Sequence, residues 1–194
     1  MLCERCEGKI KHWEDYAIAF KSRKAGCTIA PADRGTIKVS GIDYVQMKLF
    51  CMSVLWRASV CTLPAFSLVS LGDCEETVRD MLHRSDPGDP LRFCTAMDAI
   101  RHRYAPMAHF ICNPSSGHVH GLRCFHFVFG GFVWIMFGSA NGFPVGDSHR
   151  VLSKEGSITM GMVDAVKVDG IRAILEEARK MGRLPTEVAQ VLGV

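Results

Sequence analysis

Two cysteines three residues apart open the chain, in Cys3-Glu-Arg-Cys6-Glu-Gly8-Lys9. Thiolates at this spacing can hold one Zn²⁺ on a tight turn, and the following glycine lets backbone N–H groups approach the sulfurs. One such knuckle supplies only half of the ligands that a structural zinc takes. His12, Cys27 and the later group Cys112, His118, His120, Cys124 and His126 are candidates for the rest, as is a second copy of the knuckle in a homodimer. Two reduced, metal-free cysteines are the plain alternative. A thioredoxin-like dithiol fits less well, because that motif follows a strand and opens a helix inside a βαβ pattern that this sequence lacks.

A second group of chemistry-bearing residues lies in the middle of the chain. His118-Val-His120 and Cys124-Phe-His126 read as one strand, where alternation aligns 118, 120, 124 and 126 on a single face. Positions two apart on a strand are separated by about 7 Å, so His118 and His120 with a ligand from elsewhere make the better metal geometry. The simpler reading is a half-buried sheet face with hydrogen-bonded histidines. From Ala99 to Gly146 there is no Asp or Glu, and this 48-residue window carries Arg101, Arg103, Arg123 and five of the eight histidines. Outside it the charges cancel, so the whole formal charge of +3 belongs to the window. Arg101, Arg103, Arg123, His118 and His120 are therefore the expected binding residues for an anionic partner. Three arginines are few for a nucleic-acid track and suit an acidic protein surface better. Phe125, Phe127 and Phe129 could stack on bases, but their shared face reads as core.

The run Leu2-Cys-Glu-Arg-Cys-Glu-Gly-Lys-Ile-Lys-His-Trp-Glu-Asp-Tyr16, followed by Leu49-Phe-Cys-Met-Ser-Val-Leu-Trp-Arg-Ala58, resembles the body of uncharacterised bacterial and prophage proteins. Those begin with an HNH-like zinc finger: an earlier cysteine pair, then a His-containing segment of the kind that carries catalysis in HNH nucleases, then the stretch seen here. The resemblance covers residues 2–90. Met1 stands two residues before Cys3, and the earlier pair and the His segment have no counterpart. The resemblance therefore implies Cys3 and Cys6 as metal ligands and no catalytic residue, on a nuclease-related scaffold without its chemistry.

The elements that must position these groups can be read locally. Trp13, Tyr16, Ala17 and Phe20 recur at helical spacing. Cys27–Ala30 and Thr36–Val39 flank a polar loop and read as a hairpin. Asp43 caps a helix to Cys61 that is apolar nearly all round and belongs in the middle of the core. Asp73 and Glu76 have capping-box spacing for a short helix to Arg84, ended by the breakers of residues 85–90. Strands are expected at Leu91–Met97, Met107–Cys112, His118–Phe129 and Phe132–Gly138, with a turn at Asn113–Gly117 and a tight hairpin at Gly130-Gly131. Asp169 caps a helix that Gly182 stops, and Pro185 starts a short last helix.

The expected fold class is α+β: a central buried helix, with surrounding helices, packed on an antiparallel β-meander. One domain spans residues 1–194, with a zinc-knuckle remnant in 1–24, the meander in 91–140 and C-terminal helices in 167–194. Nine cysteines without framework spacing, and a start without an apolar leader, point to a reducing cytoplasm. The apolar run 122–137 is too short and too polar for a membrane span. The functional expectation is a non-catalytic interaction or inhibitor protein of phage or mobile-element origin, of anti-defence or anti-CRISPR type. It would bind a host protein or nucleoprotein complex, alone or as a homodimer. The alternative is a zinc-dependent, HNH-type nuclease-related or nucleic-acid-binding protein.

Overall fold

The computed structural model describes residues 3–101 and 110–182. Helix α1 spans Glu4–Lys21 and buries Ile10, Trp13, Ala17 and Phe20, the stripe its helical spacing dictates. Strands β1 (Thr28–Pro31) and β2 (Ile37–Ser40) form the expected antiparallel hairpin. Asp43 then holds an extended conformation and its carboxylate accepts from the Gln46 N–H at 3.0 Å, starting α2 at Tyr44–Val60. The Tyr16 hydroxyl accepts from the Asp43 N–H at 2.6 Å, so α1 fixes where α2 begins. Ten of the seventeen residues of α2 are buried, as an all-round apolar helix requires. Met47, Leu49, Met52 and Leu55 are almost wholly removed from water, and each such side chain contributes about 1.5–3 kcal/mol.

Helix α3 spans Glu75–Arg84 and closes on Ser85 in the left-handed region. The expected capping box does not form. Asp73 sits in a 3₁₀ turn over 72–74 that leads into the helix, and the Glu75 carboxylate accepts from the Ser59 hydroxyl at 2.8 Å.

Strands β3 (Thr95–Arg101), β4 (Cys112–Val119), β5 (Leu122–Phe129), β6 (Phe132–Phe137) and β7 (Ser157–Asp164) complete a seven-stranded sheet in the order β1-β2-β7-β3-β6-β5-β4. All neighbours are antiparallel except β3 and β7, so the sheet is mixed and wider than the expected meander. One face carries Val39, Met97, Phe125, Phe127, Trp134, Met136, Ile158 and Met160 against α1, α2 and α3. On the other face, helix α4 (Asp169–Lys180) covers Val128 with Ile171 and Leu175, and the 143–151 segment covers Cys94, Ala96, Cys124 and Phe137. The fold is α+β.

Several expected boundaries move. The strand expected at Leu91–Met97 starts at Thr95, because Asp89 and Arg92 give their carbonyls to a buried lysine and Phe93 has φ +46°. Of the strand expected at Met107–Cys112, residues 107–109 lie outside the described residues; β4 begins at Cys112. Asn113–Gly117 is not a turn but part of β4, with the register broken between Cys112 and Ser115. Pro114, which cannot donate to a ladder, is accommodated because β4 is an edge strand carrying that irregularity. His118–Phe129 is not one strand: His120 (φ +52°) and Gly121 (φ +74°) form a two-residue hairpin turn between Val119 and Leu122. The Gly130-Gly131 hairpin forms as expected, with both residues at positive φ. Strand β7 occupies a stretch in which no strand was expected. Helix α4 begins at Asp169 with Val168 as its cap, and Gly182 at φ +66° follows its end. The helix expected from Pro185 lies outside the described residues.

Asp98 ties β3 to β7 and to the 3₁₀ turn Val145–Arg150. Its Oδ1 accepts from the Gly161 N–H of β7 at 2.7 Å and from Arg150 Nη2 at 3.1 Å. Asp98→Ala leaves that N–H and a half-buried guanidinium without their acceptor. It is expected to cost about 2–3 kcal/mol in urea unfolding, with Asp98→Asn losing less.

Candidate functional site

The N-terminal thiols do not sit in a free knuckle; they open α1. Cys3 is the extended residue before the first turn, and its carbonyl accepts from the N–H groups of Cys6 and Glu7 at 2.9 and 3.0 Å. The two sulfurs are 3.3 Å apart, with Cys3 exposed and Cys6 half-buried. The Cys6 N–H and thiol at the helix start hold the Cys3 thiol below its usual range. The same contact pushes the Cys6 thiol up. Cys3 is thus the sulfur that ionises first.

The other candidate ligands go elsewhere. Cys27 Sγ lies 3.5 Å from the Gly41 carbonyl, and His12 Nε2 pairs with Gln46 Nε2 at 2.9 Å. Among the described residues no three of His, Cys, Asp and Glu converge as a metal centre would need.

Beside Cys6 lies a cavity of about 420 Å³ between α1, α2 and α3. Ile10, Trp13, Trp56 and Leu82 form its walls, with Lys9, Arg79 and His83 around it. Lys9 Nζ donates to the His83 carbonyl at 2.6 Å, fastening α1 to the end of α3. The buried Trp56 indole N–H has no acceptor among the described residues. The Cys6-Ile10-Trp13 side is legible in the sequence as one helix stripe. Trp56 and His83 come from distant segments, and no local signal joins them to it.

On the other side of α1 runs an apolar groove of about 400 Å³, floored by Ala17, Phe50, Val54 and Trp134 and edged by Ile18, Ile111 and Phe129. Ile18 is 61% exposed and Ile111 75% exposed. Lys21 and the Arg57–Glu14 ion pair, 2.7 Å, flank it. Lys21 has no carboxylate partner among the described residues.

The expected binding residues are divided. Arg123 on β5 pairs across the ladder with His118 on β4, and its guanidinium stacks 5.1 Å from the Phe125 ring centre. His120, in the adjacent turn, lies edge-on to Phe143 and 3.2 Å from the Asp147 carboxylate. Arg101 is at the opposite end of the sheet, where Ile100 donates to Gly131 at the β5–β6 turn, and it faces Asp164 across β7. Arg103 lies outside the described residues. The acid-free window therefore does not gather Arg101 with Arg123, His118 and His120 into one patch; Asp164 stands opposite Arg101, and Asp147 lies beside His120.

His126 does not share a strand with His118 and His120. It packs over Gly117, where an added Cβ would meet its ring at 3.0 Å, and burial lowers its pKa against the pull of Asp98. Cys124 Sγ is 4.0 Å from His126 Nε2, but that thiol is wholly buried and burial raises its pKa. The pair offers no accessible nucleophile.

The molecule so defined is an α+β protein with a thiol pair at one helix start and two grooves flanking that helix. Compared with known proteins, the chain matches no family model, no curated sequence and no solved structure. Among the described residues no helix is long and apolar enough to cross a membrane.

Proposed function

We propose that this chain is a non-catalytic cytoplasmic interaction protein, acting by occupying a surface on a larger host protein or nucleoprotein complex. A phage or mobile-element inhibitor of host defence, of the anti-CRISPR kind, fits that description. The observation that carries the reading is the apolar groove beside α1, with Ile18 and Ile111 standing exposed at its edge. Such an edge takes an amphipathic helix or a bulky apolar side chain of a partner, and Lys21 favours acidic residues beside it. Arg101 lies at the same end of the sheet as the groove's Phe129-Gly130 rim and adds to that preference.

The test is affinity capture from a host lysate with the wild-type chain and with Ile18→Asp, followed by titration of the captured partner. A stoichiometric partner whose affinity falls at least about tenfold in the variant supports the reading. Equal capture by both chains, or no partner for either, overturns it. Ile18 is exposed, so the variant keeps the fold, and an unchanged urea midpoint verifies that.

The second reading is a zinc-dependent, nuclease-related or nucleic-acid-binding protein, favoured by the close sulfurs of Cys3 and Cys6. A second chain would complete the ligand set in a homodimer. That reading requires stoichiometric zinc, and DNA binding or cleavage that falls with Cys3→Ser or His118→Ala.

A further inference from the structure

We propose that Cys3 and Cys6 form a redox-active dithiol that exchanges with low-molecular-weight or peptide disulfides and closes to a Cys3–Cys6 disulfide. The proposal is independent of the groove beside α1. Three features of the pair carry it. The sulfurs already touch at 3.3 Å, which places each within side-chain reach of a bond of about 2.0 Å to the other. The extended conformation of Cys3, just before the first turn of an 18-residue helix, brings its side chain against that of Cys6 on that turn. The two thiols also differ in access: Cys3 is exposed to an incoming disulfide, whereas Cys6 is half-buried against the cavity of Ile10 and Trp13. No other two sulfurs among the described residues are in hydrogen-bonding contact. Arg5 and Lys9 near the pair offset Glu4 and Glu7.

The exchange runs in two displacements. The Cys3 thiolate attacks one sulfur of the disulfide R–S–S–R; that bond breaks, RS⁻ leaves and takes a proton, and Cys3 holds a mixed disulfide. Cys6 gives up its proton, and its thiolate attacks Cys3 Sγ, expelling the second RS⁻, which is protonated in turn. The dithiol loses two electrons, and the external disulfide becomes two thiols.

The full chain is incubated with oxidised glutathione and a chelator, quenched by alkylation, and its cysteine-containing peptides are weighed. The wild type is expected to lose two hydrogens in the peptide holding Cys3 and Cys6. Cys6→Ser is expected to stop with one glutathione on Cys3. Cys3→Ser is expected to slow the reaction of the remaining thiol by about tenfold or more. Both positions are at the start of α1, and unchanged far-ultraviolet circular dichroism confirms the fold. The proposal is overturned if Cys3 and Cys6 react no faster than Cys61. It is equally overturned if the wild type ends with glutathione on Cys6, or if the chain as purified carries zinc that shields both sulfurs from alkylation.

Discussion

Gly156→Ala is expected to lower unfolding stability by about 4 kcal/mol or more. Gly156 holds φ +71°, and a Cβ built on it would sit 2.0 Å from the Ile42 carbonyl oxygen. The contact cannot relax through a side chain, because the obstacle is backbone. Ile42 donates its N–H to the Gly156 carbonyl at 2.9 Å, and the Gly156 N–H donates to Ser153 at 3.0 Å. The next residue, Asp43, caps α2. Pushing Ile42 away therefore disturbs at once the end of β2, the start of the central helix and the turn that launches β7. Gly8→Ala supplies the contrast: Gly8 is inside α1, nothing lies within 4 Å of its Cβ, and the change should stabilise by about 0.5–1 kcal/mol. Urea unfolding of both variants decides the matter. A loss below about 1.5 kcal/mol for Gly156→Ala would mean that the junction yields.

Lys48→Met is the second large effect, and its size should depend on pH. Lys48 is wholly buried in α2 and donates to the carbonyls of Asp89 and Arg92 at 3.1 and 2.7 Å, clamping the loop that precedes β3. Methionine fills the volume but leaves two carbonyls unpaired, at a cost of about 2–4 kcal/mol at pH 7. Burial depresses the folded lysine to about 8 from 10.5. Between those values the unfolded chain holds a proton that the folded chain has released, so the lysine's contribution to stability rises with pH. The deficit of the variant should therefore widen by about 1 kcal/mol from pH 7 to pH 9. The absolute stability of either chain does not isolate this effect. Cys51 and Cys94, both pushed up to about 12 by burial, keep protons that the unfolded state sheds above 9.0, and this lowers stability as pH rises. The difference between the two chains removes that common loss. A deficit that is flat or shrinking over this range contradicts the burial of a titrating lysine.

Signals confined to a few neighbouring residues were legible. Asp43 before an apolar run, two glycines between aromatic strands, and Gly182 after an amphipathic stretch each specify backbone geometry by themselves. The failures share a cause. His120 takes a left-handed turn position that sequence reasoning reserves for glycine or asparagine, and one missed turn moved His118 and His120 off the strand of His126. Asn113–Gly117 has the composition of a turn, yet the edge of a sheet tolerates it once the register breaks. In β7 the apolar alternation of Ile158 and Met160 was present but short, and Gly161 with the polar flanks masked it. The thiol pair was visible as a motif, but its helix was seen only from Trp13 onward. The cavity beside it needs Trp13, Trp56 and His83 together, which only tertiary packing supplies.

The position of β7 has a consequence for how the chain comes together. It is the last of the described strands in sequence, yet it lies between β2 and β3, and it supplies the ladder contact that joins the β1–β2 hairpin to the other four strands. During synthesis the hairpin and the four-strand unit can each form locally, but they share no strand partner until Ser157–Asp164 has left the ribosome. Non-local pairing of this kind slows folding and leaves strand edges open meanwhile. The unpaired edges of β2 and β3, open over the same interval, are then the surfaces that chaperones have most reason to hold.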